Sequence, residues 1–280
     1  MDKNKFIEML AVPTLSRHEE QLVFWLLDYL RAHVPTAKVT VDEFLNIYVV
    51  KGDAPRTACV AAHIDSVQPI RPVTIVEAGD RLSGVNPATG RPCGFGADDK
   101  AGVYVCLNLL ERFDNLRAVF FACEEIGCLG ARAADPAFFE GVSCVIEYDC
   151  PSRNMLSHTV SGVRLFENDG DFINAALPVL EAHGTTLWQD HPYTDVMAIR
   201  LRFPIPCLNL SCGYYNWHAT NEFISLSDTK LAFDQGVELL CNLTNLDLNW
   251  CPVDLSEDKA PSLMPVGRLF VPEAICQKPN

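Results

Sequence analysis

The feature that most constrains this chain is a series of short apolar runs, each ending near a carboxylate or an imidazole. Cys59 to Ala62 leads to His63, Ala118 to Cys123 to Glu124 and Glu125, Cys144 to Tyr148 to Asp149, and Cys207 to Leu210 to the loop that holds His218. Runs of this length, rich in β-branched and small residues, read as buried strands. Helical patterns lie between and after them, over about residues 100–113, 129–134, 171–182 and 228–243. The alternation implies βαβ units and a mixed, mostly parallel central sheet with helices on both faces, a three-layer α/β/α fold. In open sheets of this kind the working groups collect at the carboxyl ends of strands, where each of these polar residues falls.

The N-terminal part reads as a helix followed by strands. Ser16-Arg-His-Glu19 has the form of a capping box, and Leu22, Val23, Leu26, Leu27 and Leu30 recur at helical spacing up to about His33. Strands are expected at Lys38 to Val41, Ile47 to Lys51 and Ala58 to Ala62, and a hairpin over Thr74 to Ser83 around Gly79-Asp80. Residues 1–245 are expected to form one domain. The segment 246–280, with five prolines (Pro252, Pro261, Pro265, Pro272, Pro279), is expected to be an irregular tail packed on the surface.

Composition narrows the function classes. With 49% hydrophobic residues among 280, the chain can bury one sizeable core. Its formal charge of -14 and lack of any basic run argue against a nucleic-acid or anionic-membrane partner, which clustered Lys and Arg would recognise. No apolar stretch has the length of a signal peptide or membrane span, which points to a soluble, cytoplasmic protein. The 12 cysteines sit mostly in apolar runs and form no C-x-x-C pair, so they read as reduced packing thiols.

Two imidazoles and a surplus of carboxylates are the ligand set that two zinc ions sharing one carboxylate would need. Asp98, Glu125 and Asp149 with neutral His63 and His218 would reduce the formal charge of such a cluster from +4 to about +1. The spacing of His63-Ile-Asp65 puts both side chains on one face of an extended segment, so Asp65 can accept the other imidazole N–H, although H-x-D after a strand also arises by chance. Side chains of the adjacent Asp98 and Asp99 diverge. Asp98 is the bridging candidate, beside glycines 94, 96 and 102 that permit an unusual backbone, and Asp99 suits the first turn of a helix. Of Glu124 and Glu125, one can bind metal while the other moves a proton from the attacking water to the leaving nitrogen. Glu124 is assigned as the base and Glu125 as the ligand; the pattern alone allows the reverse, and an acidic pair before a helix also has a structural explanation. No G-x-S-x-G elbow, Walker A loop or H-E-x-x-H helix is present. His18, His33, His158, His183 and His191 default to surface or core positions.

In this order, His63-Ile-Asp65-Ser66, Gly96-Ala-Asp98-Asp99-Lys100-Ala-Gly102, Glu124-Glu125-Ile-Gly127 with Gly130-Ala131, Asp149, Tyr193-Thr-Asp195 and Gly213-Tyr-Tyr-Asn216-Trp-His218 with Glu222 resemble the co-catalytic dinuclear zinc exopeptidases. That clan includes peptidase T and the bacterial glutamyl and leucyl aminopeptidases. The resemblance, over about residues 5–244, implies that His63 and Asp149 bind one zinc, His218 and Glu125 the other, and Asp98 both, with a cis peptide to Asp99. It implies a supporting role for Asp195. Asp99, Tyr214, Tyr215 and Asn216 are expected beside the substrate or behind the ligands, with Trp188 and Trp217 as further wall residues. The intervals His63–Asp98 and Asp149–His218 are too short for the inserted domains of some relatives, so the chain resembles a bare catalytic core.

The expected activity is hydrolysis of a terminal peptide bond, foremost by an aminopeptidase whose zinc-held water is activated by Glu124. An N-acyl amino acid deacylase is the second reading, and a non-catalytic binding protein with the same fold the third. The expected cofactors are two zinc ions, with cobalt or manganese also accepted by these ligands. The expected partner is a short peptide or an acylated amino acid, and oligomer formation is left open.

Overall fold

A computed structural model describes residues 2–168, 170–191 and 193–243. The N-terminal elements are α1 (Lys3–Leu10), capped by the Asp2 side chain, α2 (Glu20–His33), β1 (Lys38–Val41), β2 (Ile47–Lys51), β3 (Thr57–His63), β4 (Thr74–Ala78) and β5 (Arg81–Val85). The middle holds α3 (Ala97–Arg112), β6 (Leu116–Phe121), α4 (Leu129–Ala133), α5 (Pro136–Phe139), β7 (Val142–Cys150), β8 (Met155–Val160) and β9 (Val163–Arg164). There follow α6 (Asp171–Ala182), β10 (Leu187–His191), α7 (Asp195–Arg202), β11 (Cys207–Ser211), β12 (Tyr214–Tyr215), β13 (Phe223–Ser225) and α8 (Leu226–Leu243).

The main sheet has the order β1-β2-β6-β3-β7-β11-β8-β10, with β9 paired to β8. Its centre, β6-β3-β7-β11, is parallel throughout, and antiparallel strands flank it. Every residue of β3 and β7 is buried, the pattern of a strand covered on both faces, which is why their sequences are largely apolar, with Glu147, Asp149 and His63 as buried polar exceptions towards the carboxyl ends. α3 is buried from Ala97 to Leu110 and packs on β3 and β7 on one side and on α8 on the other. α6 joins that layer through α8, while α4 and α7 pack together as a separate group, with α7 on β11. A second sheet, β12-β13-β5-β4, packs against α3.

Three sequence expectations need correction. Ser16 to Glu19 is not a capping box: α2 starts at Glu20 without a side-chain cap, Ser16 Oγ donates to Asp65 Oδ2 at 2.7 Å, and Glu19 Oε1 accepts the Cys123 N–H at 3.2 Å. Arg17, at φ 71°, turns the chain there, so both polar residues serve tertiary partners. Asp149 lies inside β7 and not after it, because pairing with β11 continues beyond the apolar run. β6 ends at Phe121, two residues short of the expected Cys123, because Cys123 takes φ 58° and leaves the ladder. The expected C-terminal tail, 246–280, lies outside the described residues.

Candidate metal centre

Parallel order in β6-β3-β7-β11 brings four carboxyl ends to one edge of the sheet. His63 is the last residue of β3, Asp149 the penultimate residue of β7, and Glu124 and Glu125 follow β6. Asp98 comes from the start of α3, where Gly96 takes φ 73° and the Asp98–Asp99 peptide is cis. His218, at φ 61°, lies in the turn between β12 and β13.

The Asp98 carboxylate stands between the two imidazoles. Its Oδ1 is 3.1 Å from His63 Nε2 and its Oδ2 is 3.4 Å from His218 Nε2. Each histidine then meets a second carboxylate: His63 Nε2 lies 3.6 Å from Asp149 Oδ1, and His218 Nε2 lies 2.9 Å from Glu125 Oε1. Two sets of donor atoms, from His63, Asp98 and Glu125 and from His63, Asp99 and Asp149, each fall within 4.8 Å of one another. Asp99 is already engaged, since its Oδ2 accepts the His63 N–H at 3.2 Å and its Oδ1 accepts from Gly102 N at 3.1 Å. It braces the ligands from behind.

The electrostatics show which kind of group these side chains suit. Asp65, Asp98, Asp99, Glu124, Glu147, Asp149 and Asp195 are all buried here, and no Lys or Arg among the described residues lines the cavity. Burial pushes the carboxyls of Asp99, Glu124 and Asp195 well above the ordinary range, and both Asp195 oxygens lack a hydrogen-bond partner. Hydrogen bonds to Asp98 and Glu125 raise His218 to about 10. Buried carboxylates crowded in this way are costly unless cations join them, and imidazole nitrogen with carboxylate oxygen is the donor chemistry of zinc and its neighbours. The residues therefore fit a divalent metal.

Further residues hold the candidate donors in place, and one of them, Asn209, carried no sequence signal. Asn209 Oδ1 accepts the Asp149 N–H at 2.9 Å, and its amide nitrogen donates to Asp149 O at 3.3 Å. The Thr194 hydroxyl lies 3.0 Å from Asp149 Oδ2 and also meets Glu147. Glu222 Oε1 accepts the N–H groups of Phe95 and of Gly96, the latter at 2.6 Å, and so pins the segment ahead of Asp98. Asp65 Oδ1 is 3.3 Å from His63 Nδ1 without the alignment of a formed hydrogen bond; its stronger contacts are to the backbone of Glu124 and Glu125.

A cavity of about 280 Å3 opens onto these groups, lined also by Met155, Gln189, Asp190, Tyr193, Tyr214 and Trp217. Tyr214 reaches Asp149 Oδ1 with its hydroxyl at 3.4 Å. Tyr215 and Asn216 are not brought into this cavity, contrary to expectation. Tyr215 points the other way from its strand neighbour, donating to Asp228 and stacking on Phe223, and Asn216 donates to Asn221 O. Trp188 packs on Phe166 and His158 instead.

The sequence profile of peptidase family M28 matches residues 46–225, a span that takes in all five candidate donors. The chain belongs to peptidase family M28. As an M28 peptidase it is a metallopeptidase, and the cluster around Asp98 is its candidate metal centre. No curated protein sequence matches the chain. Among solved structures it is similar to the aminopeptidase PepT of Bacillus cereus ATCC 10987, with a TM-score of 0.73 and 14% identity over 86% of this chain and 97% of that one. A tripeptidase of Staphylococcus aureus subsp. aureus Mu50 gives 0.71 and 13% over 85% and 96%. The TET1 peptidase of Pyrococcus horikoshii, which can assemble into a tetrahedron or a large octahedral shell, gives 0.63 and 15% over 87% and 99%. At these identities the likeness is one of fold.

Proposed function

We propose that this M28 peptidase is a two-metal aminopeptidase, with residues 1–245 as a single catalytic unit. The observation that carries the reading is the Asp98 carboxylate set between His63 and His218, each imidazole having its own second carboxylate. His63 and Asp149 would hold one ion, His218 and Glu125 the other, and Asp98 both. Two zinc ions, or cobalt or manganese in their place, would supply Lewis-acid polarisation of the scissile carbonyl.

Glu124 is the base. Its side chain lines the cavity, is buried, and binds neither histidine, and burial raises its proton affinity well above that of an exposed glutamate. It accepts a proton from the attacking water and returns it to the leaving amine. Asp65 positions it through the main chain, and Asn209, Thr194 and Asp99 keep the donors in register. The aminopeptidase and tripeptidase neighbours support action at a free N-terminus. The free thiols of the described cysteines, nine of them buried, suit a reducing compartment, in keeping with a cytoplasmic enzyme. No helix among the described residues is long and apolar enough to cross a membrane. Self-assembly is a further proposal, supported by the shells that TET1 forms.

The test is to load the protein with zinc or cobalt and incubate it with free-amine, N-acetylated and C-terminally amidated peptides, identifying products by mass spectrometry. Stepwise loss of residues from free amines alone is the expected result. Release of acyl groups would replace the aminopeptidase with a deacylase, and silence toward every member would remove the catalytic reading.

A further inference from the structure

Beyond the metal donors and Glu124, the cavity walls are uneven in chemistry. Met155, Tyr193, Tyr214 and Trp217 supply apolar and aromatic surface, and Trp217 is 48% exposed at the opening. Among the described residues, the charged group of the lining outside the cluster is Asp190, on β10, beside Gln189. No Lys or Arg lines the cavity, and no hydrogen bond or ion pair engages the Asp190 side chain among the described residues.

The placement of these two side chains is a local departure from strand geometry. Successive strand residues normally face opposite sides of a sheet, so one of the pair would point away. Here the register against β8 shifts by one: Gln189 is opposite Ser157 and Asp190 is opposite Thr159, leaving His158 as the extra residue between them. The extra residue belongs to β8, so the bulge lies in that strand, where β10 passes the cavity; such bulges are common beside active sites. In this chain both Gln189 and Asp190 line the cavity.

We propose that Asp190 is a specificity-determining residue that selects peptides with a basic N-terminal residue, Lys or Arg, by pairing with the side-chain cation. The inference rests on the aminopeptidase reading and deepens it. Depth within the cavity separates the side-chain cation from the α-amine. The reacting carbonyl must lie at the floor, where Asp98, Glu124 and Asp149 are buried, and the α-amine is only two bonds from that carbonyl carbon. Asp190 is exposed at the rim. A long side chain spans from floor to rim, its methylenes covering the aromatic wall and its charge meeting Asp190 and the Gln189 amide oxygen. An acidic N-terminal residue would bring like charge to the same rim and find no cation there.

The test compares lysyl and norleucyl peptide substrates, which match in methylene length and differ in the ammonium. On the metal-loaded enzyme kcat/KM should favour lysyl over norleucyl by about ten-fold, a rim-exposed charge pair being modest in strength. In Asp190→Asn that ratio should fall to about two or less, and in Asp190→Lys glutamyl substrates should overtake lysyl ones. Calorimetric binding of L-lysinamide against L-norleucinamide, on wild type and Asp190→Asn, gives the same comparison without turnover. A ratio unmoved by Asp190→Asn overturns the proposal. An equal fall for both substrates does so too, because it would place Asp190 on the α-amine. If no peptide is cleaved yet L-lysinamide binding depends on Asp190, the aminopeptidase reading fails and the cation site stands.

Discussion

Asp65 holds the backbone of Glu124: its Oδ1 accepts the Glu124 N–H at 2.9 Å, and its Oδ2 accepts the Glu125 N–H at 3.2 Å. One buried carboxylate thereby ties the proposed base and a proposed metal donor to the segment that follows the strand ending in His63. Ser16 Oγ donates to the same Oδ2 at 2.7 Å, so the N-terminal segment contributes to the centre without lining it.

Because these contacts are to the main chain, exchanging the Glu124 side chain leaves them in place. Glu124→Gln should keep its metal content and melting temperature while turnover falls at least ~100-fold, the usual contribution of a positioned base. Elemental analysis beside steady-state kinetics checks this, and a near-normal rate would remove Glu124 from the role.

Asp98 meets both histidines, so its loss cannot be confined to one half of the cluster. Asp98→Ala should lose metal and the stabilisation that metal binding brings, together. Metal content measured alongside thermal unfolding, with and without added zinc, should show a midpoint that no longer responds to the ion. An Asp98→Ala protein that still binds its full metal complement would refute the bridging role.

Gly102 serves close packing. A Cβ there would collide with the backbone oxygen of Tyr148 and the carboxylate of Asp99, both inside the shell that supports the donors. Gly102→Ala should cost about 1–3 kcal/mol in denaturant unfolding, the range for overpacking a filled interior, and should weaken metal binding as Asp99 is displaced.

Glu19 provides a pH-dependent signature of stability. It is 1% exposed, and burial, with the nearby charge of Asp65 adding to it, raises its carboxyl from 4.5 to about 7. Below the unfolded value it is protonated in both states and makes no difference. Between the two values the unfolded chain gives up the proton first, so stability falls as pH rises, and above about 7 the whole cost is present. Glu19→Gln keeps the carbonyl oxygen that accepts from Arg17 and Cys123 and removes the charge. It should therefore stabilise the fold by about 1–3 kcal/mol at pH 8 and by little near pH 5. Urea unfolding at the two pH values reads this out, and an equal gain at both would show that Glu19 carries no such cost.

The apolar runs and the polar groups at their ends were legible in the sequence because local chemistry alone determines them. A strand buried on both faces is mostly apolar along its length, so a carboxylate or imidazole near its carboxyl end stands out. That was enough to give β3, β6, β7 and β11, the hairpin of β4 and β5, and five candidate donors that the fold brings to one cavity. The tertiary structure alone decided which polar side chains meet. Ser16 and Glu19 have the spacing of a cap and are used elsewhere; Tyr214 faces the cavity while Tyr215 turns to Asp228. Thr194 and Asn209 support Asp149 from 45 and 60 residues away, and Asp190 lines the cavity together with its strand neighbour Gln189. Hydrophobic burial is read residue by residue along a strand. The direction of a polar side chain depends on register and on partners distant in the chain, which no local pattern records.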